Sequence, residues 1–178
     1  MNIIDKIISN YSNNKSLYIG EKVTMSEHMI QTAMLAEKTN CSSNLVCSSL
    51  LHDYGHFILE NPDDLIVKDK DGRHEDVGYT YLEKYFVKDV LGPIKYHVKA
   101  KKYLARKEKY YRLLSKASKI SLKLQGGIMN NKEAESFEKN KFFENSIKLR
   151  KLDEIAKESG LKIKSINEYK NLLTSKLI

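Results

Sequence analysis

The sequence predicts an all-α protein, a single compact helical bundle, and three observations carry that reading. Apolar residues recur at three- and four-residue spacing through most of the chain. Only two prolines and eight glycines interrupt it, so long segments run without a breaker. No stretch alternates apolar and polar residues as a half-buried strand does. There is no internal repeat and no linker, and 178 residues suit one domain with a sizeable core. The core is expected over about 17–163, with a closing helix at about 166–177.

Taken in order, Thr24-Met25-Ser26-Glu27 has the form of a capping box and opens a helix to about Thr39. Asn44 to Asp53 reads as an apolar helix that closes on Leu50-Leu51-His52-Asp53. Tyr54-Gly55-His56 turns out of it, and Asn61-Pro62 through Asp71-Gly72-Arg73 forms a polar loop. A helix begins near His74 and runs to about Tyr85. The next spans Lys88 to Leu104, with a bend or restart expected at Gly92-Pro93. Tyr110 to Gln125 follows and is stopped by Gly126-Gly127. Asn131 to Glu138 is short, Phe142 to Ser159 is long and ends at Gly160, and Ile166 to Leu177 packs on the outside.

The composition is 41% apolar and 30% charged, with no apolar run near the roughly 18 residues that cross a bilayer. Met1-Asn2-Ile3-Ile4-Asp5 lacks the basic start and apolar run of a signal peptide. Cys41 and Cys47 have neither a redox nor a zinc spacing and read as reduced, so a cytoplasmic monomer or small oligomer is expected. The net charge of +8 invites a nucleic-acid reading. Against it, Arg73, Arg106, Arg112 and Arg150 are the only arginines, whereas base and phosphate forks favour Arg. The lysines are scattered, so no nucleic-acid partner is expected.

The five histidines carry the functional argument: His28, His52, His56, His74 and His97. A neutral imidazole offers a nitrogen to a metal without adding charge. His52-Asp53 closes an apolar helix at its C-terminal end, where an aspartate opposes the helix dipole and needs a positive partner. A metal cation supplies one, and an aspartate can bridge two of them.

The pattern His28, His52-Asp53, His74, His97, Asp153 resembles the HD-domain superfamily, with all six positions filled. The resemblance implies a dinuclear metal centre in which Asp53 bridges, His28, His52 and Asp153 serve one ion, and His74 and His97 serve the other. Most HD-domain proteins are phosphohydrolases. Further features look like a smaller branch, the mixed-valent diiron oxygenases related to myo-inositol oxygenase, and most of all its PhnZ-type members of phosphonate catabolism. That likeness covers roughly Leu17 to Ile163.

Tyr18-Ile19-Gly20-Glu21 matches a Tyr-x-x-Glu pair of that branch, which implies that Tyr18 caps one iron and that Glu21 helps fix the substrate's amino end. His56, four residues after His52, matches a histidine that bonds the phosphonate or the tyrosine. Lys101 follows His97 by four residues and so shares its helix face, aiming an ammonium at the metal cavity. A lysine buried beside two cations needs an anion between them. Arg150 precedes Asp153 by three and can fork onto phosphonate oxygens. In the segment from Ser115 to Gly127, Ser118 is the residue taken to match a serine that meets the phosphonate, with Ser121 close behind.

The resemblance thus implies two iron ions, Fe(II)/Fe(III), with O2 as co-substrate. The implied reaction cleaves the carbon–phosphorus bond of a 1-hydroxy-phosphonate, 2-amino- or 2-trimethylammonio-1-hydroxyethylphosphonate, giving inorganic phosphate and glycine or glycine betaine, with hydroxymethylphosphonate as a smaller alternative. The rival is an HD-domain phosphohydrolase acting on a small phosphate ester or nucleotide, in which the same ligands would activate water. Tyr18 separates the two, because an iron-capping phenol has no evident use in hydrolysis. A non-catalytic helical module is a third reading, opposed by the intact ligand set.

Overall fold

The computed structural model describes residues 1–18, 20–59 and 72–178. Ile4, Ile7 and Tyr11 recur at helical spacing and form the buried face of the first helix, α1 (Ile3–Asn13), whose N-terminus is capped by the Asn2 side chain. The Tyr11 hydroxyl donates to the Leu50 carbonyl, which ties α1 into the core. This helix lies before the start expected for the core, yet Ile7 is fully buried within it.

Thr24 and Glu27 close a capping box that opens α2 (Met25–Lys38). Ser42 caps α3 (Ser43–Leu51), whose residues from Leu45 to Leu51 are all buried. A helix buried on every side belongs at the centre of a bundle. Accordingly α2, α5 (Lys88–Leu104) and α9 (Phe143–Ile155) pack around it. After α3 the chain tightens into a 3-10 turn, Tyr54–Phe57, and then resumes in α4 (His74–Leu82). The expected polar loop from Asn61 to Asp71 lies outside the described residues. Among the described residues the only β pairing is two isolated bridges, Leu17 with Thr24 and Phe86 with Leu177.

Four elements differ from the sequence reading. Helix α5 runs through Pro93 without a restart. Pro93 sits early in the helix, and the carbonyl it leaves without a donor belongs to Asp89, which is exposed and open to water. The expected helix from Tyr110 to Gln125 is two helices, α6 (Glu108–Leu113) and α7 (Lys116–Leu124). Leu114 is extended and buried against Ala105 and Leu122, and Ser115 then caps α7 by accepting from the Ser118 N–H. Next, α8 (Asn131–Glu138) has the expected bounds.

Helix α9 stops at Ile155, short of the expected Ser159. Its tail is claimed by α2: the Ala156 carbonyl accepts from His28, and Glu158 exchanges two backbone bonds with the Gln31 amide, at 2.8 and 3.0 Å. Finally, the C-terminal segment comprises a 3-10 turn, Ile166–Tyr169, and α10 (Lys170–Thr174). It does not lie outside: Ile166, Tyr169 and Leu173 are core residues. No helix among the described residues is long and apolar enough to cross a membrane.

Candidate functional site

The helices around α3 converge their polar residues on one buried spot. His28 comes from the middle of α2, His52 and Asp53 from the end of α3, His74 from the first residue of α4, His97 from α5 and Asp153 from α9. They form two groups, His28 with His52 and Asp153, and Asp53 with His74 and His97, each able to hold a metal ion. His28 Nε2 lies 3.2 Å from His52 Nε2, and His74 Nε2 lies 3.1 Å from His97 Nε2. Asp53 joins the groups. Its Oδ2 is 3.6 Å from His28 and 3.5 Å from His52, while its Oδ1 is 3.2 Å from His74 and 3.4 Å from His97.

The residues fit a pair of cations. His28, His52 and His97 each direct Nδ1 at a backbone carbonyl, those of Ala156, Ser49 and Ile94, at 2.8, 2.9 and 2.7 Å. A carbonyl only accepts, so Nδ1 carries the proton and Nε2 keeps its lone pair for a metal. Asp153 Oδ1 is buried, has no hydrogen-bond donor among the described residues, and faces His28 at 3.3 Å. A buried carboxylate oxygen without a donor needs a cation.

Protonation agrees with ligation. Burial alone would raise the Asp53 carboxyl, but His52 and His74 hold it well below the usual range. Burial likewise opposes the Asp153 carboxylate, and Arg150 and His28 hold it low. Burial brings His52 down to about 4, so it stays neutral. Against burial, Asp153 pulls His28 upward and Asp53 pulls His74 upward. Metal and proton compete for the same lone pairs, so a cation would stand in place of those protons.

Three cations border the groups. Lys101 is 5% exposed and donates to Ser121 Oγ at 2.9 Å, with no carboxylate in ion-pair reach among the described residues. Burial and the nearby Arg150 charge push its ammonium down to about 7. Arg150 is already engaged: its guanidinium grips Asp153 and Glu154, and its Nε donates to the Tyr110 hydroxyl at 3.0 Å. Ser118 is engaged too, donating to Glu154 at 3.0 Å and accepting from Lys157 at 3.1 Å. Of the two candidate serines, Ser121 is therefore the one on Lys101.

Tyr18 stacks on His28, with ring centroids 4.1 Å apart and planes 13° from parallel, so the phenol stands at the first group. Burial, then the charges of Asp153 and Asp53, hold its hydroxyl well above the usual range. Glu21 lies 3.4 Å from the Lys157 ammonium. His56 stacks on His74 at 4.3 Å, and its Nδ1 is buried with no partner among the described residues. Burial and His74 bring it down to about 3, so it is neutral.

Lys157, Glu154 and Tyr110 border this site; the sequence shows Glu154 to Lys157 only as a continuation of the family resemblance, without a role, and does not single out Tyr110. Glu154 and Lys157 carry a faint signal, since Arg150, Asp153, Glu154 and Lys157 are spaced by three and four. Tyr110 carries none, because it meets Arg150 only through tertiary packing.

Comparison with known proteins agrees with this geometry. The HD domain model matches residues 25–123, more than half of the chain. A 1-hydroxy-2-(trimethylamino)ethylphosphonate dioxygenase (glycine-betaine-forming) of Leisingera caerulea is 42% identical over 145 residues, covering 81% of this chain and 74% of the relative. A hydroxymethylphosphonate dioxygenase of Gimesia maris is 39% identical over 154 residues, covering 85% of this chain and 77% of the relative. An uncharacterized protein of Acanthamoeba polyphaga mimivirus is 40% identical over 160 residues, covering 88% and 73%. By the family match and by these identities alike, the chain belongs to the HD-domain family, and within it to the branch of the phosphonate oxygenases.

Proposed function

We propose that the chain is a dioxygenase that cleaves the carbon–phosphorus bond of a 1-hydroxy-phosphonate, releasing inorganic phosphate and a carboxylic acid. The two metal ions of this reading are irons, Fe(II)/Fe(III), held by His28, His52, Asp53, His74, His97 and Asp153, with O2 as co-substrate. Residues 1–178 act as one HD domain. The observation that carries the reading is Tyr18 stacked on His28 with ring centroids 4.1 Å apart, beside Lys101, a buried ammonium with no carboxylate in ion-pair reach among the described residues. A buried cation of that kind calls for an anionic ligand.

When bound, the iron pair supplies the electron transfer to O2 that no side chain here can perform. The chain's own residues bind and position. Lys101, steadied by Ser121, takes the phosphonate charge, and an incoming dianion restores the charged form that burial disfavours. Arg150 orients Asp153 and adds positive field beside it. Neutral His56, with its unpartnered Nδ1, offers a hydrogen bond to a phosphonate oxygen. Ser118 keeps Glu154 and Lys157 in register at the edge of the pocket. Tyr18 covers the first group from the His28 side and limits water there, and Glu21 borders the substituent on the substrate's carbon.

The test is phosphate release from hydroxymethylphosphonate, 2-amino-1-hydroxyethylphosphonate and its trimethylammonium analogue, using iron-loaded protein with and without oxygen. Release from at least one of them only when oxygen is present is the expected result. Oxygen-independent release from ordinary phosphate monoesters, with none from the phosphonates, would return the chain to the phosphohydrolases of its family.

A further inference from the structure

A histidine that ligates through one nitrogen needs a partner for the other, because that partner decides which nitrogen carries the proton. Three of the four candidate ligand histidines have a backbone carbonyl in this place. His52 and His97 use the carbonyl three residues back in the chain, and His28 uses the end of α9. His74 opens α4, so it has no earlier turn of its own helix to borrow from. Among the described residues, Glu75 Oε2 is what faces His74 Nδ1, at 3.7 Å.

Glu75 has the complementary need. Its side chain is 12% exposed, and Oε2 is buried with no hydrogen-bond donor among the described residues. Service to the helix dipole does not explain this burial. Asp76, in the same first turn, pairs with Arg73 and keeps 35% of its side chain exposed. A buried carboxylate oxygen without a donor is unfavourable, and the nearest group able to donate to it is the His74 imidazole.

Resting on the two-metal reading above, we propose that Glu75 is a positioning residue for the second metal ion. Its carboxylate accepts from His74 Nδ1–H and so presents the Nε2 lone pair to the ion that Asp53 and His97 also hold.

The His74 proton has two places. On Nε2 it can donate to Asp53 Oδ1, 3.2 Å away, but a bare Nδ1 then confronts the Glu75 carboxylate. On Nδ1 it gives Glu75 its donor and leaves Nε2 free to ligate. The separation of 3.7 Å is longer than a hydrogen bond; closing it to about 2.9 Å takes less than about 1 Å of movement by the glutamate side chain. The rest of His74 is already held, since its carbonyl lies against Gly55 and its ring stacks on His56. Those contacts set where the ring lies, and Glu75 sets which nitrogen carries the proton. A carboxylate also accepts more strongly than the carbonyls serving the other three, which makes His74 the better donor to its ion.

The experiment dialyses metal-free protein, without oxygen, against graded concentrations of free Fe(II) and counts the iron bound per chain. The wild type is expected to take up two. Glu75→Met removes the acceptor and should raise the Fe(II) needed for the second iron roughly 10- to 100-fold, leaving uptake of the first unchanged. Glu75→Gln keeps a carbonyl that can accept from Nδ1–H and should recover part of that loss. A thermal melt of the metal-free variants separates positioning from support. Removing a carboxylate that lacks a donor should leave the midpoint at or above the wild-type value, whereas loss of a residue that merely holds α4 in place would lower it. Wild-type uptake of both irons by Glu75→Met, a glutamine variant no better than the methionine one, or equal loss of both irons with a lowered melt would each overturn the assignment alone. A wild type that never takes up a second iron would overturn the two-metal reading itself.

Discussion

Three cations lie beside the metal-holding groups, and they are used differently. Arg150 grips Asp153 and Glu154, and Lys157 approaches Glu154 and Glu21, so both are spent on holding the walls of the site. Among the described residues Lys101 has only the Ser121 hydroxyl, and it is the cation of the three left for a ligand. Replacing it with methionine keeps the stem packed and removes the charge. A hydrogen bond to a charged group contributes about 1.5–3 kcal/mol, so Lys101→Met is expected to weaken phosphonate binding roughly 10- to 100-fold. Metal content should be unchanged, since Lys101 touches no ligand. Calorimetric titration alongside metal analysis checks both halves; full affinity in the variant would remove Lys101 from the pocket. The same residue shows what sequence could and could not supply. Its place on the His97 face follows from a spacing of four, whereas its lack of a carboxylate depends on where Arg150 and Lys157 direct theirs.

At the scale of elements, the second metal group depends on a close approach of two backbones. A Cβ on Gly55 would stand 1.9 Å from the His74 carbonyl oxygen and 2.9 Å from the Gly78 nitrogen, so the 3-10 turn can lie against α4 only with glycine there. Gly55 therefore does more than end α3: it lets His74 reach Asp53 and His97. Gly55→Ala is expected to cost at least about 2 kcal/mol of stability by overpacking. It should also loosen the group of Asp53, His74 and His97 before that of His28, His52 and Asp153. Denaturant unfolding and metal stoichiometry measure the two effects, and an alanine variant with wild-type midpoint and metal content would contradict the close packing. The early end of α9 has a similar origin. Helical spacing continues toward Ser159, but His28 and Gln31 on α2 claim the Ala156 and Glu158 backbone, and that claim frees Lys157 to reach Glu21.

Over the whole molecule, the six residues that could hold metal come from α3 and four other helices, α2, α4, α5 and α9, so a bound metal pair would cross-link most of the fold. A ligand that binds only the folded state stabilises it, by about 4 kcal/mol when free metal exceeds its Kd a thousandfold. In a domain of this size that corresponds to roughly 10 °C in Tm. Stripping the metal with a chelator should lower the midpoint by about that amount, and re-addition of Fe(II) should restore it. A melt indifferent to chelation would argue against any resident metal. The core cluster is built from apolar side chains of α1, α2, α3, α5 and the C-terminal segment and uses none of the six candidate metal-holding side chains, so the apo protein is expected to remain folded.

Much of this was open to reading from the sequence alone, because it depends on local spacing and residue chemistry. Capping at Thr24 and the bounds of α8 are of that kind, since a helix start and a periodic apolar face each announce themselves within a few residues, whereas the six candidate ligands were implied by a family pattern spread along the chain. What only the tertiary structure decided is which polar groups meet. The division of Asp53 between two groups, the occupation of Arg150 and Ser118, the choice of Ser121 for Lys101 and the Lys157–Glu21 pair all join residues on different elements. Buried charges must be satisfied by whatever the packing brings within reach, and packing is a property of the folded chain rather than of any segment.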